Sequence, residues 1–133
     1  MARPGDACPC GGGPGYPACC GRYIDHFDAT PAPDAASLMR SRYTAFVRED
    51  AAYLLATWHA GTRPPQVGFE PGARWLGLEV RGAQQQSMDH ATVEFVARMR
   101  DADGRAHRLH ERSRFVRTQG RWYYVDGDLL ASS

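Results

Sequence analysis

The sequence predicts an α+β fold with a short cysteine-rich loop at its N-terminus. Apolar residues recur at three- and four-residue spacing between positions 34 and 58, as they do on one face of a helix. After Trp75 the period changes to two, which is typical of strands with one buried face. All four cysteines precede both regions. Because helices come first and strands come after them, we expect the helices to pack on one face of an antiparallel sheet.

The cysteines Cys8, Cys10, Cys19 and Cys20 lie within thirteen residues. Four thiolates on a glycine-rich loop can form a tetrahedral zinc site, and the metal would fold a segment that lacks apolar residues to bury. The alternative is disulfides or free thiols. Bridges within the close pairs would be strained, and no secretory signal precedes the cluster, so an oxidising compartment is not indicated. We therefore favour a structural Zn²⁺ held by the four cysteines.

Two helices are expected after this loop. Asp34 follows a proline and is a candidate N-cap for a helix over residues 34–48. Asp50 can cap a shorter helix over residues 51–58. The next stretch, residues 59–72, is rich in proline and glycine and predicts a long loop over a pocket.

Four antiparallel strands are expected in the second half. We place them at residues 75–83, 91–100, 107–117 and 122–126. In the first strand, Leu76, Leu78 and Val80 should share the buried face because they alternate along the strand. In the last strand, the same alternation places Trp122, Tyr124 and Asp126 on one face. Asp103-Gly104 is a strong hairpin signal between the second and third strands.

Composition excludes several classes of function. The net charge is +1, which provides no electrostatic signature for direct nucleic-acid binding. No apolar run reaches the roughly 18 residues that a membrane helix needs. The first six residues are too polar for a signal peptide, so we expect a cytoplasmic protein without a membrane partner.

The cysteine spacing resembles SEC-C, the cysteine-rich tail motif of the SecA translocation ATPase. That motif reads C-x-C-G-S-G, a short spacer, and then C-C or C-H; here Gly12 replaces the serine. The resemblance implies a zinc-binding motif over residues 1–22 with the four cysteines as ligands. It also implies a protein partner, because the SecA motif engages an export chaperone and ribosomes.

The remainder of the chain resembles the YchJ-type family of largely uncharacterised bacterial proteins. The matching stretches include LMRSRYTAFV at residues 38–47, WLGL at 75–78, ERSRF at 111–115 and GRWYYVDG at 120–127. Before the matching stretches, residues 23–33 show little periodicity and include Pro31 and Pro33, so we expect a linker there. The resemblance implies a nuclear-transport-factor-like (cystatin-like) domain over residues 34–133, in which a cone-shaped, curved antiparallel sheet packs on the N-terminal helices. Sheets of this kind often pair into homodimers.

Folds of this shape often have a pocket at the open end of the cone, and the chain offers several residues for it. The candidates are Arg42, Tyr43, Trp58, His59, Glu111, Arg114, Trp122 and Asp126. No set of nucleophile, base and acid can be recognised, so the catalytic residues are unknown and we favour a protein that is not an enzyme.

Arg42 is the most informative of these candidates because it falls on the apolar helix face, where an unpaired charge is unfavourable. One interpretation is a structural bridge to Glu111 or Asp126, and the other is a ligand-anchoring arginine in a pocket. His59 is either a general base or a helix C-cap. Arg114 belongs to a basic strand face that is either solvated or an anion site.

These observations support two functional hypotheses. The first is a non-enzymatic, zinc-containing interaction protein that binds a protein partner through its cysteine motif. The second is a small-molecule binder or enzyme that uses the pocket of the α+β domain. A filled core with Arg42 bound to a carboxylate would favour the first, and an open pocket with Arg42 unpaired would favour the second.

Overall fold

The structure is a computed structural model, and it describes residues 8–11 and 15–130. Three sequence-based assignments therefore fall partly outside the described residues: the start of the zinc motif at residues 1–7, the substituted Gly12, and the last three residues of the domain.

The first half of the chain is helical. A 3₁₀ turn at Tyr16–Ala18 precedes α1 (Gly21–Ile24), α2 (Ala35–Val47) and α3 (Ala51–Ala56). α1 crosses the predicted boundary between zinc motif and linker at residue 22. None of the helices in the described part of the chain is long and apolar enough to span a membrane.

Both predicted helix caps are present. The Asp34 side chain accepts a hydrogen bond from the Ser37 amide at 2.7 Å, and the Asp50 side chain accepts one from the Tyr53 amide at 3.0 Å. Each carboxylate thus satisfies one of the free amides of the first turn, which stabilises the start of its helix.

The helix α3 ends two residues earlier than the sequence predicts. The chain after it pairs with the last strand: the Tyr124 amide donates to the Thr57 carbonyl at 2.8 Å, and the His59 amide donates to the Tyr124 carbonyl at 2.7 Å. Trp58 therefore forms an isolated parallel β-bridge with Tyr124. This pairing fixes the end of α3 against the sheet.

The second half forms one four-stranded antiparallel sheet in the order β1-β2-β3-β4. The strands are β1 (Arg74–Ser87), β2 (His90–Arg100), β3 (Ala106–Thr118) and β4 (Arg121–Leu129). β1 extends beyond the predicted range because residues 84–87, although exposed, still pair with the start of β2. The alternation of apolar and polar residues gives no signal there, since neither face of this extension is buried.

Bulges correct two predictions of strand facing. In β1 the register shifts between Trp75 and Gly77, so Trp75 packs towards α2 and Leu76 is 52% exposed. In β4 the register shifts so that Asp126 pairs with Arg114, whereas Tyr124 pairs with the buried Phe115. Each bulge adds one residue to a strand and reverses the facing of the residues after it.

The core lies between the inner face of the sheet and the helices. Its buried apolar residues come from α2, α3 and the strands, and they include Leu38, Leu54, Val93 and Phe115. The four cysteines belong to the same cluster of buried residues. The cysteine loops are therefore packed onto the helical layer.

Candidate functional site

The four cysteine side chains converge on one point. Their sulfur atoms all lie within 4.8 Å of one another, and all four residues are buried. The Sγ atoms of Cys10 and Cys19 are 3.6 Å apart, far beyond the ~2.05 Å of a disulfide bond. Four thiolates at ~2.3 Å from a tetrahedral zinc ion have sulfur–sulfur edges of about 3.8 Å. The geometry therefore fits a tetrahedral metal ion.

The electrostatics of the cluster agree with a cation site. Burial, followed by a hydrogen bond with Cys10, raises the pKa of the Cys19 thiol to about 11. The hydrogen bond with Cys10 and burial raise the pKa of the Cys20 thiol still further. Without a cation these thiols stay protonated at neutral pH, because burial and the hydrogen bond with Cys10 disfavour the thiolates, which would also repel one another. A divalent ion removes that penalty and deprotonates its ligands.

Local backbone geometry sets the cysteine positions. Gly11 closes the turn after Cys10 with φ of +78°, a conformation that favours glycine. At Gly21, directly after Cys20, a Cβ atom would lie 2.7 Å from the Tyr16 carbonyl oxygen. These two glycines allow the cysteine pairs to approach each other.

The cysteine loops contact the helical layer directly. The Sγ atom of Cys8 lies 3.7 Å from the Thr44 hydroxyl of α2, and the Arg48 guanidinium lies 4.1 Å from the ring centre of Tyr16. The cluster is therefore held against α2, on which the second site also depends.

A cavity of about 230 Å³ lies between α2, the end of α3 and the inner face of the sheet. Its walls are mainly aromatic. The aromatic residues are Tyr43, Phe46, Trp58, Trp75, Phe95 and Tyr124. Three further lining residues are polar: Arg42, Glu111 and Ser113. An apolar cavity with a few convergent polar groups is the usual form of a small-molecule site.

Arg42 lines this cavity and is only 4% exposed, yet it forms no ion pair among the described residues. Its Nη1 atom donates to the Leu54 carbonyl at 2.8 Å and to the Thr57 hydroxyl at 2.7 Å. The expected bridge to Glu111 or Asp126 is therefore not formed. Neutral acceptors at the end of α3 hold the guanidinium instead.

Two aromatic rings complete the surroundings of Arg42. Its guanidinium carbon lies 4.6 Å from the ring centre of Tyr124 and 5.1 Å from that of Trp58. Burial lowers the pKa of Arg42 to about 10, against the opposing effects of Tyr124, then Tyr53 and Glu111. The side chain thus remains a cation at neutral pH, and the rings stabilise that charge.

Glu111 faces the same cavity from β3. Its Oε2 atom accepts hydrogen bonds from the Ser113 hydroxyl at 2.5 Å and from the Tyr124 hydroxyl at 3.5 Å. Gly127 pairs with Ser113 on the neighbouring strand, and a Cβ atom at Gly127 would overlap the Glu111 carboxylate. The glycine therefore provides the space that this carboxylate occupies.

The structure thus brings four of the eight pocket candidates to one cavity: Arg42, Tyr43, Trp58 and Glu111. Burial raises the pKa of Tyr43, against an opposing effect of the Gly77 backbone. The Nε1 atom of Trp58 is buried and has no hydrogen-bond partner among the residues that the structure describes.

The other four candidates lie elsewhere. Arg114 forms ion pairs with Asp126 at 2.5 Å and with Asp128 at 2.6 Å on the outer face of the sheet. His59 accepts a hydrogen bond from the Gly61 amide at 3.1 Å through Nδ1, outside the cavity. Trp122 is buried in the core without lining the cavity. The basic face of β3 is neutralised locally, because His110 and Arg112 also pair with Glu94.

Three residues that position the site were not among the candidates. They are Thr57, Ser113 and Gly127. Ser113 could have been found, since it lies two positions from Glu111 on the same strand face. Gly127 gives only the weak signal that a glycine in a strand often marks a close approach. Thr57 gives none, because its role depends on where α3 ends.

Comparison with known proteins assigns the family. A family model described as "YchJ, middle NTF2-like domain" matches residues 34–127. This chain belongs to the YchJ family. Relatives of this chain include a UPF0225 protein of Polaromonas sp., which is 64% identical over an alignment of 131 residues that covers 94% of each chain. Another is a UPF0225 protein of Bordetella parapertussis, which is 59% identical over an alignment of 126 residues that covers 92% of each chain.

A solved structure extends the comparison to the cysteine loop. The chain is similar to the solution structure of a SEC-C motif containing protein from Rhodopseudomonas palustris, with a TM-score of 0.81 and 32% identity. The match covers 94% of this chain and 99% of that one. The predicted α+β fold, the nuclear-transport-factor-like domain and the SEC-C resemblance of this YchJ-family chain are thereby confirmed.

Proposed function

We propose that this YchJ-family protein binds a small organic molecule in the cavity between α2 and the sheet. The observation that carries this proposal is the buried Arg42 guanidinium, which lines an open cavity without a carboxylate partner. Burial of such a charge is unfavourable unless its donors are satisfied. Both of its hydrogen bonds start from Nη1, so Nε and Nη2 donate to no described residue. A ligand acceptor would satisfy them.

In the same proposal, the cysteine cluster holds a structural Zn²⁺. Four thiolates fill a tetrahedral shell and leave no position for water or substrate, which a catalytic zinc requires. None of the four cysteines lines the cavity. The metal would therefore stabilise the loop and its packing on α2, while the ligand binds elsewhere.

Thermal unfolding of the metal-loaded protein against a panel of small amphiphilic metabolites tests the cavity. A molecule that binds only the folded state raises the melting temperature in proportion to its occupancy. The control is Ala97→Leu, which fills the cavity from β2, where Ala97 is 2% exposed. We expect at least one compound to stabilise the wild type and not the variant. Equal stabilisation of both proteins, or of neither, would contradict a ligand site in the cavity.

Binding of a protein partner through the SEC-C motif stays a prediction from sequence, as do the homodimer and the cytoplasmic location. Affinity capture with wild type and with Cys20→Ser would test the partner, since only a folded motif should retain it. The two roles are compatible because they use different parts of the chain.

A further inference from the structure

We propose that the cavity selects an uncharged ligand whose polar end both accepts hydrogen bonds from Arg42 and donates one to Glu111. A primary carboxamide or a lactam on a small apolar body has this chemistry. The inference rests on the proposed function and specifies its ligand class.

The hydrogen-bond donors of the cavity are the Nε and Nη2 atoms of Arg42. Because Nη1 serves both protein acceptors, the remaining guanidinium donors are available to a carbonyl oxygen in the cavity. The acceptors at Leu54 and Thr57 and the rings of Trp58 and Tyr124 hold the guanidinium in place. A fixed donor pair of this kind selects for a well-placed acceptor.

The hydrogen-bond acceptor of the cavity is the Oε1 atom of Glu111. Ser113 and Tyr124 both donate to Oε2, and Oε1 accepts no hydrogen bond from any residue in the described ranges. Glu111 is also beyond ion-pair distance of Arg42, although both line the same cavity. A group that bridges them must therefore accept at one end and donate at the other.

Charge balance argues for a ligand without net charge. The cavity already contains one cation and one carboxylate, and its other walls are largely aromatic or aliphatic. A bound carboxylate would place a second negative charge beside Glu111, and a bound ammonium would place a second positive charge beside Arg42. In a site of low polarity both arrangements are disfavoured by like-charge repulsion.

The size of the cavity limits the apolar body to about one ring. An apolar cavity of about 150 Å³ is known to accommodate benzene. The cavity here is about 230 Å³, which leaves room for a ring and one polar substituent. Several aromatic rings in the walls can contact such a ring. Two of them, Tyr43 and Trp75, pack edge to face against each other with their centroids 5.6 Å apart.

Four probes of similar size separate the contributions of hydrogen bonding, ligand charge and apolar contact: benzamide, benzoate, benzylammonium and toluene. Their dissociation constants for the metal-loaded full chain would be measured by titration calorimetry or ligand-observed NMR at neutral pH. We expect benzamide to bind at least ~10-fold more tightly than each of the other three, because only benzamide both accepts hydrogen bonds from Arg42 and donates one to Glu111.

The isosteric variant Glu111→Gln provides the decisive comparison. It removes the negative charge and leaves Arg42 as the only charge in the cavity, so the preference should reverse towards benzoate by at least ~10-fold. Backbone NMR spectra would show that the variant is folded. A variant that failed to fold would be replaced by Ser113→Ala, which removes one support of Glu111 and should weaken benzamide and leave toluene unchanged.

The outcomes are distinct for the two proposals. Toluene binding that Ala97→Leu abolishes, without a preference for benzamide, would overturn the neutral-ligand inference and leave the ligand cavity intact. Wild-type preference for benzoate would also overturn it. Absence of binding by all four probes would overturn both proposals.

Discussion

Arg42 on α2 and Glu111 on β3 line the same cavity from opposite layers without forming an ion pair. The guanidinium is held by the Leu54 carbonyl and the Thr57 hydroxyl, and the carboxylate is held by Ser113. Each charge thus has its own neutral support within the protein. Such an arrangement keeps two opposite charges apart across a space that a ligand can occupy.

Removing one of the four proposed metal ligands should affect the whole fold. Cys10 and Cys20 are each 1% exposed and belong to the same buried cluster as Leu38 and Leu54. We expect Cys20→Ser to lose stoichiometric zinc and to lower the melting temperature by more than ~10 °C. Metal analysis and thermal unfolding would measure both effects. Zinc should restore chelated wild type and not the variant; unchanged zinc content in Cys20→Ser would refute the four-cysteine site.

The support of Arg42 can be tested at Thr57. The isosteric change Thr57→Val removes a neutral acceptor of a buried cation and should destabilise the protein by about 1.5–3 kcal/mol. Denaturant unfolding would measure it. The matched control is Thr118→Val at an exposed position of β3, expected to change stability by less than ~0.5 kcal/mol. Equal effects of the two substitutions would mean that Thr57 does not hold Arg42.

Gly127 should be required for the position of Glu111. A Cβ atom at this glycine would overlap the Glu111 carboxylate, so Gly127→Ala should displace it and destabilise the fold by about 1–3 kcal/mol. Gly82→Ala in β1 is the matched control, because no atom lies within 4 Å of the added carbon. A Gly127→Ala protein that unfolds like the control would show that the carboxylate has other space available.

Alkaline pH should weaken the fold through two buried tyrosines. Burial is the main reason that the pKa values of Tyr53 and Tyr124 rise to about 12. Both stay neutral in the folded state while the unfolded chain ionises near pH 10. Their contribution to stability is therefore complete below about pH 10 and is lost as the pH rises towards 12.

The contribution of Tyr124 can be isolated with Tyr124→Phe, which lacks the titrating hydroxyl. The free energy of unfolding of wild type should fall more steeply between pH 10 and 12 than that of the variant, and tyrosinate absorbance should show one late-titrating group fewer. Identical pH dependence of wild type and variant would contradict a raised pKa at Tyr124.

The helical half of the fold could be predicted well because its signals are local. Asp34 and Asp50 cap their helices through amides three residues away, so the sequence contains all the information needed. Local signals do not predict the structure at Trp58. There, pairing with Tyr124 ends α3 early, and that contact joins residues far apart in the chain.

The candidate site could be predicted only in part, for two physical reasons. Bulges in β1 and β4 reverse the facing of the strand residues. An alternating sequence pattern does not reveal an inserted residue, so the predicted faces of Leu76 and Asp126 are wrong. The sequence suggests carboxylate partners for Arg42, whereas a backbone carbonyl and a hydroxyl hold it. Such neutral acceptors depend on tertiary structure and leave no charge pattern in the sequence.

The most direct test of the proposed ligand site is to map where a small molecule binds. Backbone amide chemical shifts of the metal-loaded protein would be measured during titration with benzamide, with Ala97→Leu as the control. We expect the largest changes to cluster at Ala97, Glu111, Ser113 and Tyr124 and to disappear in the variant. Changes confined to the outer face of the sheet or to the cysteine loops, or none at all, would contradict a ligand site between α2 and the sheet.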